Sequence, residues 1–254
     1  IVGPVLSDVS AMRCRFGSAE LSSLAIGSVA ASSQGSDGVR CVSPSSLPTG
    51  WSSVELSSHG ESLRSGGSFF VHARLFVSAL VPPAGPVAGG TRVSVLGSSF
   101  RESATLRCRF ESSGATSVAR RVSGGQVECA SPASSGVGDR AVEVSMNGQQ
   151  FSSSGVAFTY TSAASVSSVW PVRGAVEGGT PVTVHGSGFS SSAEASGALR
   201  CRFNASDVPA VFVSSASLRC NSTSGSTGYA SVEVTTNGRD FTSDGVQFEL
   251  VAVA

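Results

Sequence analysis

Apolar and polar residues alternate over short stretches that Gly, Pro and Ser interrupt, as in Val93-x-Val95 before Gly97 and Val182-x-Val184 before Gly186. A period of two puts alternate side chains on one buried face of a strand, whereas long helical spacing is absent. The pattern also recurs. Arg13-Cys14-Arg15-Phe16 returns as Arg107-Cys108-Arg109-Phe110 and Arg200-Cys201-Arg202-Phe203, with the three cysteines 94 and 93 residues apart. Downstream, Ser53-Val54-Glu55-Leu56, Ala141-Val142-Glu143-Val144 and Ser231-Val232-Glu233-Val234 each precede a turn signal: His59-Gly60, Asn147-Gly148 or Asn237-Gly238. Asn-Gly marks a tight hairpin because both positions accept positive φ. Each unit then closes on an aromatic strand around Phe69-Phe70, Phe158-Thr159-Tyr160 or Phe248. Short strands at regular spacing predict an all-β chain of repeated sandwiches, divided at residues 1–76, 77–163 and 164–254.

Two units share an opening segment, Pro82-x-x-Gly85-x-x-x-Gly89-Gly90-Thr91 and Pro171-x-x-Gly174-x-x-x-Gly178-Gly179-Thr180, which leads through a strand to Phe100 or Phe189. This order of motifs resembles the IPT/TIG family of immunoglobulin-like domains over nearly the whole chain. The resemblance implies tandem seven-stranded β-sandwiches, a module of cell-surface receptors, of extracellular bacterial and protist proteins, and of Rel-type transcription factors. Fold alone selects none of these.

The first copy departs from the pattern. Ile1-Val2-Gly3 aligns with Val95-Leu96-Gly97, so this copy lacks its initial strands, which would leave a hydrophobic groove and unpaired backbone. Two readings follow. The chain is a fragment of a longer array, or the apolar tail Leu250-Val251-Ala252-Val253-Ala254 of one subunit completes the open first domain of the next, beside Ile1 and Val2. The second would build a head-to-tail homopolymer by donor-strand exchange.

Charge narrows the partners. Only 13% of the 254 residues are charged, and 17 basic residues, all Arg, cancel 17 acidic ones. That balance argues against nucleic acid and anionic membranes as partners. No apolar run approaches the ~18 residues of a membrane span, so no direct membrane insertion is expected. Ile1-Val2-Gly3-Pro4 lacks the charged start of a signal peptide, which suggests a mature, soluble chain.

Six cysteines fall two per unit, which predicts disulfides Cys14–Cys41, Cys108–Cys129 and Cys201–Cys220. Zinc is the rival, but the chain has no C-x-x-C and no His at ligand spacing. Disulfides persist in oxidising compartments, so a secreted or cell-surface location is expected and the transcription-factor branch recedes. Asn204-Ala205-Ser206 and Asn221-Ser222-Thr223 are acceptor sequons for covalent N-glycans. Serine clusters such as Ser152–Ser154 could carry O-linked sugar or serve as plain polar loops.

Catalytic patterns are missing. His59, His72 and His185 have no recurring Cys or carboxylate partner, no G-x-S-x-G elbow occurs, and Gly89-Gly90-Thr91 lacks the Lys of a phosphate loop. Asp37, Asp139, Asp240 and Asp244 sit near Gly but form no calcium-loop pattern, so no cofactor or metal is expected. In Arg-Cys-Arg-Phe the Cys and Phe face the core and both Arg face outward. The Glu of the later strand also faces outward, which predicts cross-strand Arg–Glu pairs, testable by exchanging Arg107 with Glu143; an exposed Arg ladder gripping anionic glycan is the alternative. Trp170, beside Pro171, is expected to pack at the junction between the second and third units, and short connections would make the array a semi-rigid rod. The expectation is a non-enzymatic extracellular structural or adhesive glycoprotein, a subunit of a homopolymeric fibre. The alternative is a rod-like ectodomain fragment of a receptor or adhesin.

Overall fold

The computed structural model describes residues 12–18, 21–30, 32–33, 39–58, 61–110 and 114–252. The chain divides into a compact unit of residues 1–74 and a second of residues 75–254.

In the first unit, β1 (Met12–Ser18), β2 (Leu21–Ala30), β5 (Gly50–Ser58) and β6 (Glu61–Val71) form a sheet in the order β2-β1-β5-β6, while β3 (Ser32–Ser33) pairs with β4 (Val39–Arg40). Met12, Cys14, Phe16 and Leu56 alternate inward from this sheet onto Val39, and Phe16 meets Phe69 edge to face at 5.9 Å. His59 and Gly60, between β5 and β6 in sequence, lie outside the described residues.

The second unit holds two sandwiches, each with its own core. The second repeat comprises β7 (Phe76–Val81), β8 (Ala84–Pro86), β9 (Arg92–Ser98), β10 (Arg107–Phe110), β11 (Thr116–Ser123), β12 (Gln126–Ala130), β13 (Gly138–Ser145) and β14 (Ala157–Thr161). Their order is β7-β9-β12-β11-β10-β13-β14-β8, with β11 shared by both faces of the sandwich. The third repeat comprises β15 (Ser165–Trp170), β16 (Arg173–Ala175), β17 (Pro181–Ser187), a short α1 (Ser191–Ala195), β18 (Arg200–Phe203), β19 (Ser206–Pro209), β20 (Val211–Ser214), β21 (Ser217–Asn221), β22 (Gly228–Thr235) and β23 (Gln247–Val251). Here β15-β17-β21-β20 packs against β16-β23-β22-β18-β19, because the counterpart of β11 is split at Ala210. Ala119 and Ala210 are both buried at this crossing, and each donates its N–H to the residue before the Arg-Cys-Arg-Phe strand, Leu106 or Leu199.

The alternation read from the sequence is realised: Val93 and Val95, Val182 and Val184, and Val142 and Val144 are buried to completion, as are Phe158 and Phe248. The Gly-Gly-Thr loops depend on glycine. Gly89 has φ 75°, and a Cβ there would stand 2.5 Å from the Pro132 carbonyl carbon; Gly178 has φ 80° and would place one 2.6 Å from the Ser224 nitrogen. An L side chain fits neither the dihedral nor the space.

The Asn-Gly turns differ from expectation. The connections from β13 to β14 and from β22 to β23 span residues 146–156 and 236–246 and are not two-residue hairpins. Positive φ occurs at Gly148 and Gly238, not at the preceding Asn, whose side chain instead folds back on the loop. Asn147 Oδ1 accepts the N–H groups of Gln149 and Gln150, and Asn237 Oδ1 those of Arg239 and Asp240. Such an Asx turn organises a long loop, where a type I′ turn would close a short one.

Candidate functional site at the junction of the second and third repeats

The Arg-Cys-Arg-Phe strands show what the repeated polar residues do. Register sets Arg15 opposite Glu55, Arg109 opposite Glu143 and Arg202 opposite Glu233. The partner of Glu143 is therefore Arg109, not Arg107, which stands opposite Ser145 and donates to the Leu106 carbonyl. Arg109 Nε donates to Glu143 at 2.9 Å, while Arg202 lies 4.0 Å from Glu233 and binds Asp207 at 2.7 Å. A third participant was not foreseen. The Phe that ends Asn-Gly-x-x-Phe lies over the guanidinium, Phe151 at 4.1 Å from Arg109 and Phe241 at 3.4 Å from Arg202. Each Arg is thus paired at its edge and covered on its face, so Arg109 and Arg202 are not an open ladder for anionic glycan. The signal was present, since both Phe recur at a fixed distance from Asn-Gly, but only tertiary packing brings them above the Arg. Asp207 is held below the usual carboxylate range first by its hydrogen bonds from Arg202, and Arg202 is raised in turn by Asp207.

The second unforeseen element joins two repeats. Asn237 and Asp240, from the β22–β23 loop of the third repeat, reach the opening segment of the second. The Thr91 hydroxyl donates to Asp240 Oδ2 at 2.5 Å, and Asn237 Nδ2 donates both to the Ala84 carbonyl at 3.1 Å and to Asp240 Oδ2 at 2.8 Å. Thr91 is completely buried and Asn237 is 8% exposed. Thr235 Oγ1 also donates to Asn237 Oδ1, so the loop's shape is set from within its own repeat before it meets the neighbour. Glu128 on β12 is held below its ordinary value, chiefly by a hydrogen bond from Arg120; Arg92 and Arg239 add to the effect, the last from the third repeat. A buried hydroxyl between a carboxylate and fixed amides is a directional lock, because separation leaves charged and polar groups to be resolvated.

Of the other acids beside glycines, Asp37 lies outside the described residues, and Asp139 and Asp244 have structural partners. Asp244 accepts the Val166 N–H and Asp139 the Thr159 hydroxyl. Among the described residues no group of His, Cys, Asp and Glu is placed to hold a metal. Trp170 does not pack at the junction: it is 70% exposed on the outer face of its sheet, in register with Thr183 and, beyond it, Arg219. The reason is a β-bulge between Val166 and Ser168, which shifts the inward phase of β15 from Val166 to Val169 and turns Trp170 outward. Trp51 is also exposed, against Phe70.

Disulfides join Cys14 to Cys41, Cys108 to Cys129 and Cys201 to Cys220, each bridging two parts of one repeat. Asn204 lies exposed at the β18–β19 turn with φ 52°, its Oδ1 accepting the Ser231 N–H, and Asn221 ends β21 with its side chain outward. Leu250 and Val251 belong to β23, hydrogen-bonded between β16 and β22 of their own repeat, with Leu250 buried. Ile1, Val2 and Val253 lie outside the described residues.

A family model for the IPT/TIG domain matches residues 75–160 and 164–250, more than half of the chain. The chain belongs to the IPT/TIG family. Its two matched TIG domains are the second and third repeats, and the matched module is a non-catalytic one. A search of curated proteins returned no significant match. Among solved structures the chain is similar to the full extracellular region of plexin A4, with 15% identity and a TM-score of 0.45, covering 98% of this chain and 26% of that one. It is also similar to the Bacteroides ovatus mixed-linkage glucan utilization protein SGBP-B, with 14% identity, a TM-score of 0.30, and 96% and 61% covered. The Escherichia coli adhesin FdeC gives 14%, 0.31, and 99% and 88%. The chain spans about a quarter to a third of the plexin A4 structures it matches. At these identities and scores the likenesses carry no argument about function. No helix among the described residues is long and apolar enough to cross a membrane.

Proposed function

We propose that this chain is a stalk segment of an extracellular adhesive or receptor-like glycoprotein, whose TIG domains hold a recognition element at a set distance and orientation. The observation that carries this reading is the Asp240–Thr91 and Asn237–Ala84 contact, which ties consecutive TIG domains to each other through side chains rather than the linker alone. Three intradomain disulfides suit an oxidising exterior. Both sequon asparagines are exposed, which favours N-glycans at Asn204 and Asn221, where sugar would add solubility to a surface short of charge.

A homopolymeric fibre built by strand complementation is less favoured. Leu250 and Val251 would have to leave both β16 and β22 to serve as a donor strand, uncovering the core of their own domain. Sedimentation and electron microscopy of the purified chain, with intact mass before and after deglycosylation, distinguish the two. Monodisperse particles carrying glycan mass support the stalk; long homopolymers with a one-chain repeat would replace it with the fibre.

A further inference from the structure

The lock between the second and third TIG domains has a counterpart with nothing described in it. The opening segment that receives the Asn237–Asp240 loop is repeated in the third domain, where Thr180 corresponds to Thr91, Arg173 to Ala84 and Arg219 to Glu128. The backbone is the same: Thr180 N–H donates to Ser222 Oγ as Thr91 N–H does to Ser131 Oγ, and Gly179 N–H donates to the Ser222 carbonyl as Gly90 N–H does to that of Ser131. In both domains a Cβ on the first glycine, Gly85 or Gly174, would strike the threonine hydroxyl, so the two hydroxyls have the same placement. What differs is cover. Thr91 is completely buried beneath the neighbouring loop, whereas Thr180 is partly exposed, with no side-chain partner for its hydroxyl among the described residues.

We infer that this end of the third TIG domain, formed by the Arg173 carbonyl, the Thr180 hydroxyl and the Arg219 guanidinium, is a docking socket for the loop of a further TIG domain carrying Asn-Gly-acidic-Asp. The Asn and Asp repeat the roles of Asn237 and Asp240 toward a carbonyl and a buried threonine hydroxyl. The acidic residue follows from charge. In the occupied socket Glu128 is ion-paired with Arg120 of its own domain, and Arg239, between the docked Asn237 and Asp240, adds a weaker attraction; in the open one an Arg stands in place of that Glu, so the incoming residue reverses sign to match. A loop with Arg at that position would bring two guanidinium groups together.

This rests on the stalk reading, and one molecule tests both. A copy of residues 165–251 fused after Ala254 reproduces the three-residue spacing of Ser162–Ala164, and the third domain has its own core, both sheets and a disulfide. Because Asn221 stands opposite Pro181, next to Thr180, the protein is made without N-glycans. Residual dipolar couplings then compare alignment of the added copy with that of its host. With Arg239→Glu in the added copy, the two align with equal magnitude. Retaining Arg, or placing Thr180→Val in the host, weakens docking about tenfold or more, the loss expected of one charge-assisted buried hydrogen bond, and reduces the copy's alignment. Equal alignment magnitudes across all three proteins, or a freely tumbling copy in the Arg239→Glu protein, overturn the inference. If the second and third domains also tumble independently, the stalk reading fails with it. Should the fused copy not fold, a cyclic peptide of residues 233–242 with Glu for Arg239 is titrated into the whole chain. Shifts confined to the Gly179 and Thr180 amides support the socket, and their absence refutes it.

Discussion

Removing one hydroxyl at the junction gives the sharpest test of how the two TIG domains are coupled. Thr91→Val keeps the β-branched shape against Gly85 and Phe158 but deletes the donor to Asp240, 2.5 Å away. Thr91 is fully buried, so water does not replace the lost partner while the domains stay docked, and Asp240 keeps only its contacts within the loop. A hydrogen bond to a charged group contributes about 1.5–3 kcal/mol. Opening of the lock should therefore become about tenfold to a hundredfold more frequent. The readout is amide exchange at Arg239 and Asp240, whose N–H groups are held by Asn237 on the other side of the junction from the substitution. Faster exchange there signals coupling between domains, which a defect confined to the second repeat would not produce. Thr180→Val is the internal control, since its hydroxyl meets no carboxylate among the described residues, and it should leave exchange in both loops within about twofold. If Thr91→Val folds normally and the Arg239 and Asp240 amides exchange at the original rate, the lock contributes nothing and the rigid junction is wrong. A Thr91→Val and Asp240→Ala double-mutant cycle should show the same coupling energy.

Phe241→Ala uncovers the Arg202 guanidinium and should lower the denaturant-measured stability of the third repeat by about 1–3 kcal/mol, with Phe241→Leu recovering the apolar part only. Replacing Cys108 and Cys129 with Ala should cost on the order of 3 kcal/mol for a loop of 21 residues, seen as a lower unfolding midpoint; an unchanged midpoint would count against unfolded-state constraint as the source. Asp207 is depressed by Arg202, so the stability it adds is present above the ordinary aspartate range and is lost as pH falls through the lowered folded value. Asp207→Asn should accordingly lower the third repeat's stability near neutrality and converge with the parent at low pH, which flattens the acid limb of its stability curve. The effect is small because the pair is solvent-screened.

Much of this protein was legible in order along the chain. Alternation at Val93-x-Val95 and Val182-x-Val184, the recurring Arg-Cys-Arg-Phe and the paired cysteines specify strands, repeats and disulfides, because a period of two and a repeated spacing are local properties of sequence. The inward Cys and Phe and the outward Arg follow from that same period, and the burial along β10 and β18 agrees. Tertiary structure alone decided which outward groups meet. It selected Arg109 over Arg107 for Glu143, because register depends on how far β13 slides along β10. It placed Phe151 and Phe241 over arginines about forty residues earlier, and Trp170 in solvent, because a loop's path and a sheet's outer face have no signature in periodicity. It also made Asp240, one loop acid among several in the sequence, the acceptor of a buried hydroxyl 149 residues away in another domain. Contacts of that range arise from the docking of finished surfaces, after local pattern has already determined what each surface carries.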